Sequence, residues 1–167
     1  AFENRVKKVF FLASSCVYPK YNQQPMNPED LMSGVLEPTN SSYAMSKLAG
    51  IELCHAYRKE FGLNYISAIP TNIFGPYDNF NKDKSHVLPA LIKKIYEAKV
   101  MNLKDISIWG TGLPLREFIY VDDLANACIF LMKNYNNVKP INIGTNYVVS
   151  IKELANNYPN FLKKDLE

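Results

Sequence analysis

An unbroken apolar run, "VFFLA" at residues 9–13, constrains this chain more than any other feature, because it restricts the kind of strand that can form there. A strand covered on one face alternates apolar and polar side chains, whereas one covered on both reads as a continuous apolar run. The run therefore predicts a central parallel strand. After a loop rich in Pro, Asn and Gln, "YAMSKLAGIELCHAYRKEFG" has helical periodicity, with hydroxyl and amide caps in "EPTNSS" before it and Gly62 as its C-cap. "LNYISAIP" is then a second strand, closed by Pro70. Strand, helix, strand is a crossover of parallel-sheet type. The expected fold class is α/β, half of a doubly wound parallel sheet.

Further along, "TNIFGPYDNFNKDKS" reads as a long polar loop and "HVLPALIKKIYEAKV" as a helix. "ISIWGTGLPLREFIYV" predicts two short strands around a glycine-containing turn. "WGTG" within it is not followed by a helical pattern, so it fails the context test for a phosphate loop. In "VDDLANACIFLMKNY", Asp122 is the expected N-cap, and Leu124, Ala127, Cys128, Leu131 and Met132 the apolar face. "PINIGT" is the last strand candidate, and "SIKELANNYPNFL" starts a helix capped by Ser150.

A net charge of +3 over 167 residues, with both signs interspersed, lacks the basic stripe of a nucleic-acid binder. Cys16, Cys54 and Cys128 are odd in number and widely spaced, which fits neither a disulfide framework nor a zinc site and suits a reducing, cytoplasmic setting. The basic and apolar start "RVKKVFFLASSC" only loosely matches a secretory leader, since its apolar part is short and soon polar. No segment approaches the roughly 20 apolar residues of a membrane helix.

The chemistry-bearing pattern is Tyr43 and Lys47, four apart on the expected helix and so on one face. A phenol ordinarily releases its proton near pH 10, and a neighbouring ammonium favours the phenolate. Such a pair can act as a tuned acid, although a packed tyrosine beside a solvated lysine has the same spacing. The first strand ends in "LASS", and ligands of open parallel sheets sit beyond the carboxyl ends of the strands. A hydroxyl there can bond the same substrate oxygen as the phenol.

"SSCVYP", "EPTNSSYAMSK", "IPTNIFGPYDNF", "SHVLPALI" and "WGTGLPLREFIYVDDLA" together resemble the GDP-L-fucose synthase family, within the extended short-chain dehydrogenase/reductases. The likeness runs in order through nearly the whole chain. It implies a partial Rossmann-like sheet with an interleaved, smaller substrate-binding region, NADP(H) as cofactor and a GDP-sugar as substrate. The implied reaction is epimerisation of GDP-4-keto-6-deoxymannose at C3 and C5, then reduction at C4. Ser14, Tyr43 and Lys47 match the Ser-Tyr-Lys set, and Cys16 and His86 the acid/base pair of epimerisation. Ala13, Ser14, Ser15, Tyr43, Lys47, Pro70, Thr71, Asn72, Ile73 and His86 match cofactor contacts. Asn72, Lys94, Trp109 and Arg116 match substrate contacts, Lys94 standing where many bacterial relatives have arginine.

A thiol and an imidazole both titrate close enough to neutrality to exchange protons with carbons that a ketone has acidified. Without the resemblance, Cys16 would read as a core thiol, His86 as a helix-start polar group and Asn72 as a loop amide. Trp109 would be a core anchor, Arg116 a strand-surface charge and Lys94 part of a solvated helix face. Cys54 and Cys128 are read as structural.

The resemblance divides the chain into residues 1–77, the second half of the cofactor domain, and residues 78–167, mainly substrate-binding, with 117–135 returning to the first. The chain opens on Ala1 and contains no Gly-x-x-Gly-x-x-Gly, so the expectation is a fragment lacking the glycine-rich part that grips the pyrophosphate, with little turnover by itself. The resemblance also implies a homodimer, without nucleic acid or membrane as partner. Alternatives are a sibling NAD(P)-dependent nucleotide-sugar epimerase or dehydratase, and a non-catalytic scaffold of the same fold.

Overall fold

The computed structural model of the chain describes residues 1–81, 84–108 and 110–164, with side chains as far as residue 157. Its elements are β1 (Lys8–Leu12), α1 (Ser41–Phe61), β2 (Asn64–Pro70), β3 (Asn72–Phe74), α2 (Val87–Val100), β4 (Leu115–Tyr120), α3 (Val121–Asn134), β5 (Ile141–Ile143), β6 (Val148–Ser150) and α4 (Ile151–Lys164). They fall into two compact units, Ala1–Ile73 with Val121–Gly144, and Phe74–Tyr120 with Thr145–Glu167.

The first unit holds a parallel sheet of order β1-β2-β5, with Leu12 opposite Ala68 and Ala68 opposite Ile141. The expected crossover is therefore present, with α1 as its helix. Of these three strands β2 is flanked on both sides and is buried from Tyr65 onward, while β1 pairs with β2 alone here and its five residues are half-exposed. An apolar run reports which side chains seek cover, and it does not report how many strands flank it.

Helix α1 buries Ala44, Leu48, Ile51 and Cys54, a stripe at helical spacing. Leu48 and Ile51 join Ala13, Val17, Tyr18 and Ile69 in the unit's core. The helix ends as expected at Gly62, whose φ of +66° places it in the left-handed region and whose amide donates to the Arg58 carbonyl at 3.0 Å. Gly50 has a different task. A Cβ there would stand 2.1 Å from Cζ of Phe11, so the missing side chain is what lets α1 descend onto β1.

Helix α3 begins at Val121, which puts Asp122 in the first turn instead of at the N-cap, still well placed for the positive end of the helix dipole. Leu124 and Leu131 are buried and Ala127 and Cys128 half-buried, but Met132 is exposed, contrary to expectation. At about 100° per residue it lies roughly 80° round the helix from Leu124 and 100° from Leu131, beyond the edge of the stripe. Lys8 closes the helix, its Nζ donating to the carbonyls of Leu131, Met132 and Tyr135 at 3.3, 2.6 and 2.7 Å.

In the second unit β4 pairs antiparallel with β6, Leu115 opposite Ser150 and Glu117 opposite Val148. Among the described residues, only the second of the two strands expected in "ISIWGTGLPLREFIYV" forms. Residues 105–108 are irregular, and Ile108 packs against the cluster of Leu91, Ile151 and Ala155 instead of entering a ladder. The real partner, β6, comes after "PINIGT", so that segment is not the last strand. β3 likewise occupies the start of the segment read as loop. Gly110 and Gly112, both at φ +73°, support the turn reading of "WGTG". Ser150 caps α4 reciprocally with Glu153: Ser150 N–H donates to Oε2 at 2.9 Å, and Glu153 N–H to Ser150 Oγ at 3.1 Å.

Candidate active site

At the end of β1 the ladder runs one bond further, Ala13 N–H donating to the Ala68 carbonyl at 2.8 Å, before the chain turns out at Ser14. Ser14 is extended, and its Oγ accepts the Cys16 amide at 3.4 Å, opening a single 3-10 turn over Ser15–Val17. Val17, fully buried, and Tyr18, 4% exposed, anchor that turn in the core. Because the serine oxygen accepts from its own chain, its hydroxyl proton is left to donate outward. Ser14, Ser15 and Cys16 are all half-buried, within reach of a bound molecule.

Tyr43 and Lys47 each precede a buried residue of α1, Ala44 and Leu48, so both sit on the border of the apolar stripe. Tyr43 is 49% exposed. The Lys47 ammonium donates to the Leu12 carbonyl at 3.0 Å and stands 5.7 Å from the centre of the Tyr43 ring and 5.3 Å from that of Phe11. Lys47, with Tyr43 beside it, is thus tied to the end of the strand that leads into Ser14.

Beyond the adjacent strand, Pro70 is buried, Thr71 N–H donates to the Ile143 carbonyl at 3.0 Å, and Asn72 and Ile73 are exposed. β1 and β2 are parallel and in register, so residues 13–15 and 70–73 extend from neighbouring carboxyl ends. That is where ligands of such sheets bind.

Asn40, which sequence reasoning passed over as one of several caps, also belongs to this site. Its Nδ2 donates to Cys16 Sγ at 3.2 Å. Of the other thiols, Cys54 is buried and Cys128 half-buried, and burial pushes both away from thiolate formation. This agrees with their structural reading.

The remaining candidates lie in the second unit. His86 is the N-cap residue of α2, exposed, and makes no side-chain capping bond; its carbonyl accepts the Ala90 amide at 3.0 Å. Lys94 is half-buried, with its ammonium donating to the Ser107 carbonyl at 3.1 Å. Arg116 is exposed on β4, its guanidinium donating to the Leu115 carbonyl at 2.7 Å. Trp109 lies outside the described residues. Among the described residues no cluster of three His, Cys, Asp or Glu is arranged to hold a metal ion, and no helix is long and apolar enough to cross a membrane.

Residues 1–144 match the NAD dependent epimerase/dehydratase family. GDP-L-fucose synthase of Sinorhizobium fredii is 53% identical over 155 residues, 93% of this chain and 49% of the relative. Probable GDP-L-fucose synthase 1 of rice is 55% identical over 150 residues, 90% of this chain and 46% of the relative. The chain thus spans about half the length of these curated relatives. Among solved structures, a GDP-L-fucose synthetase from Naegleria fowleri bound to NADP superposes with a TM-score of 0.89 at 34% identity, over 97% of this chain and 52% of that one.

Proposed function

As the chain belongs to the NAD dependent epimerase/dehydratase family, we propose that it carries the catalytic side chains of an NADP(H)-dependent GDP-L-fucose synthase. The observation that carries this reading is the Lys47–Leu12 bond, which holds the Tyr43 helix against the strand end from which Ser14 projects. The relatives' names point to GDP-L-fucose as product and the NADP-bound neighbour to the cofactor, and the family resemblance adds a GDP-linked 4-keto-6-deoxy sugar as substrate.

The residues present fit that cofactor. A fixed ammonium, a half-exposed phenol and the exposed ends of two parallel strands suit a nicotinamide and its ribose, with Lys47, Tyr43, residues Ala13–Ser15 and Pro70–Ile73 holding them. When bound, NADPH supplies the hydride for C4. In the first stage Cys16 and His86 move protons at C3 and C5, whose acidity comes from the neighbouring ketone, one removing a proton and the other returning it to the opposite face. Ser14 and Tyr43 donate hydrogen bonds to the C4 oxygen as charge gathers on it. In the second stage Tyr43 delivers its proton to that oxygen, and the Lys47 ammonium offsets the charge left on the phenolate. Asn72, Lys94, Trp109 and Arg116 are assigned to the nucleotide sugar, the two cations suiting its diphosphate.

Residues 1–77 belong on this reading to the cofactor side and 78–167 mainly to the sugar side, with 117–135 returning. The unpaired cysteines suit a cytoplasmic protein. Homodimerisation is the family expectation. On α1, Tyr57 and Phe61 pack with Phe2, ring centres 5.5 and 4.4 Å away, and Phe61 keeps half its surface open to a second copy.

The test is the native protein with GDP-4-keto-6-deoxymannose in deuterium oxide. Label is expected at C3 and C5 together with NADPH oxidation, the label lost in Cys16→Ala and His86→Asn. NADPH-dependent turnover with no label at C3 or C5 would instead make it a sibling reductase, and absence of any reaction a scaffold.

A further inference from the structure

We propose that Asn40 is a positioning residue for Cys16, holding the thiol that epimerisation uses. The inference rests on the function proposed above, but its evidence is separate. Asparagine is among the best N-cap residues, because its side-chain oxygen can accept a free amide of the first helical turn. Asn40 occupies the N-cap position of α1 and makes no such bond. Its amide is turned away from the helix instead, Nδ2 donating to Cys16 Sγ at 3.2 Å, while Oδ1 is buried without a hydrogen-bond partner among the described residues. A buried, unpaired carbonyl costs stability, about 1 kcal/mol or more. As the last residue of the Pro38–Asn40 3-10 turn, at φ −133° and ψ 17°, Asn40 lies outside the extended backbone of an ordinary N-cap, and its side chain serves another partner. Here the amide stays on the sulfur.

The chemistry suits an acid/base thiol. A side-chain amide can serve both protonation states: its N–H donates to the sulfur lone pair, and its oxygen, after half a turn, accepts from S–H. Cys16 lies at the centre of a single 3-10 turn whose backbone is fixed by Ser14, Val17 and Tyr18, so the rotation about its own Cα–Cβ bond is the remaining freedom. The Asn40 contact restrains that rotation. Misplacing a reacting group by about 1 Å costs on the order of 100-fold in rate.

The discriminating variant is Asn40→Asp, which keeps the shape and is an equally good N-cap but has no N–H to offer the sulfur. Two measurements on the native protein are needed. Iodoacetamide labelling, read peptide by peptide, should change several-fold at Cys16 and remain the same at Cys54 and Cys128. With substrate in deuterium oxide, label entry at C3 and C5 should fall about 100-fold while thermal stability is kept or raised. Asn40→Ser, which also keeps a cap, should do the same and stands in if the aspartate variant fails to fold. Unchanged labelling and unchanged deuterium entry in both variants, with Cys16→Ala blocking entry, would overturn the role of Asn40 and leave the proposed function standing. Entry that survives Cys16→Ala would overturn the function itself, whereas the labelling result speaks to the Asn40–Cys16 contact either way.

Discussion

The Lys47 ammonium is bonded to the Leu12 carbonyl at 3.0 Å, and through that bond a helix residue and the last residue of β1 share one proton donor. Leu12 precedes Ser14 by two residues and Lys47 comes one helical turn after Tyr43. The bond therefore ties the helix that carries Tyr43 to the strand that leads into Ser14. Lys47→Met removes both this tie and the cation beside the phenol. On the proposed function, reduction at C4 by the native protein, followed by NADPH absorbance, is expected to drop by about 10²–10⁴-fold, the range for losing acid/base function. The fold should lose only about 1 kcal/mol, the net worth of one hydrogen bond. A loss of activity matched by general unfolding would deny the lysine its proposed part.

Gly50→Ala is expected to destabilise, against the usual rule. Alanine improves on glycine inside a helix by about 1 kcal/mol. Here the new Cβ would lie 2.1 Å from the Phe11 ring, and overpacking of that kind costs about 1–3 kcal/mol. Urea denaturation should show a lower midpoint for Gly50→Ala, with Phe11→Leu partly restoring it in the double variant. Additive effects of the two changes would show that the ring moves aside freely.

Tyr18 predicts an alkaline limit. Its phenol is buried, and that burial raises its pKa from 10.0 to about 12 despite the bond it donates to Asn142 Oδ1 at 2.6 Å, with the Asp30 carboxylate adding to the rise. In the unfolded chain it would release its proton near the ordinary value. Its contribution is thus complete below pH 10 and declines as pH rises from there towards 12, by roughly 2–3 kcal/mol in all. Tyr18→Phe should flatten this part of the stability profile, measured by denaturant titration at a series of pH values. An equally steep decline in the variant would place the titrating group elsewhere.

The crossover, the α1 helix and its Gly62 stop were legible because each rests on local chemistry: an apolar run, a helical stripe, a residue tolerant of positive φ. That Tyr43 and Lys47 lie one turn apart on α1 was legible for the same reason, whereas Ser14 was singled out by the family resemblance and not by spacing. Pairing was not. That β4 finds β6 across some thirty residues depends on neighbours no window of sequence contains. Asn40 was missed because an asparagine before a helix has a sufficient local explanation as a cap, and only the folded structure reveals that it declines that bond for Cys16.

The start of α4 gives an acid limit of opposite sign to that of Tyr18. Glu153 accepts from both the amide and the hydroxyl of Ser150, at 2.9 and 2.8 Å, and these bonds lower its pKa from 4.5. A carboxyl held below its ordinary value stabilises the fold above that value and ceases to as pH falls through the lowered one. Acidification below 4.5 should therefore loosen the first turn of α4 before the sheet of the first unit, which holds no part of this cap. Glutamine can close the same capping box without titrating. Hydrogen exchange of the Ser150 and Glu153 amides should thus accelerate in acid for the native protein relative to Glu153→Gln, the two matching at neutral pH. Equal protection at every pH would mean that the carboxylate's charge contributes nothing to this cap.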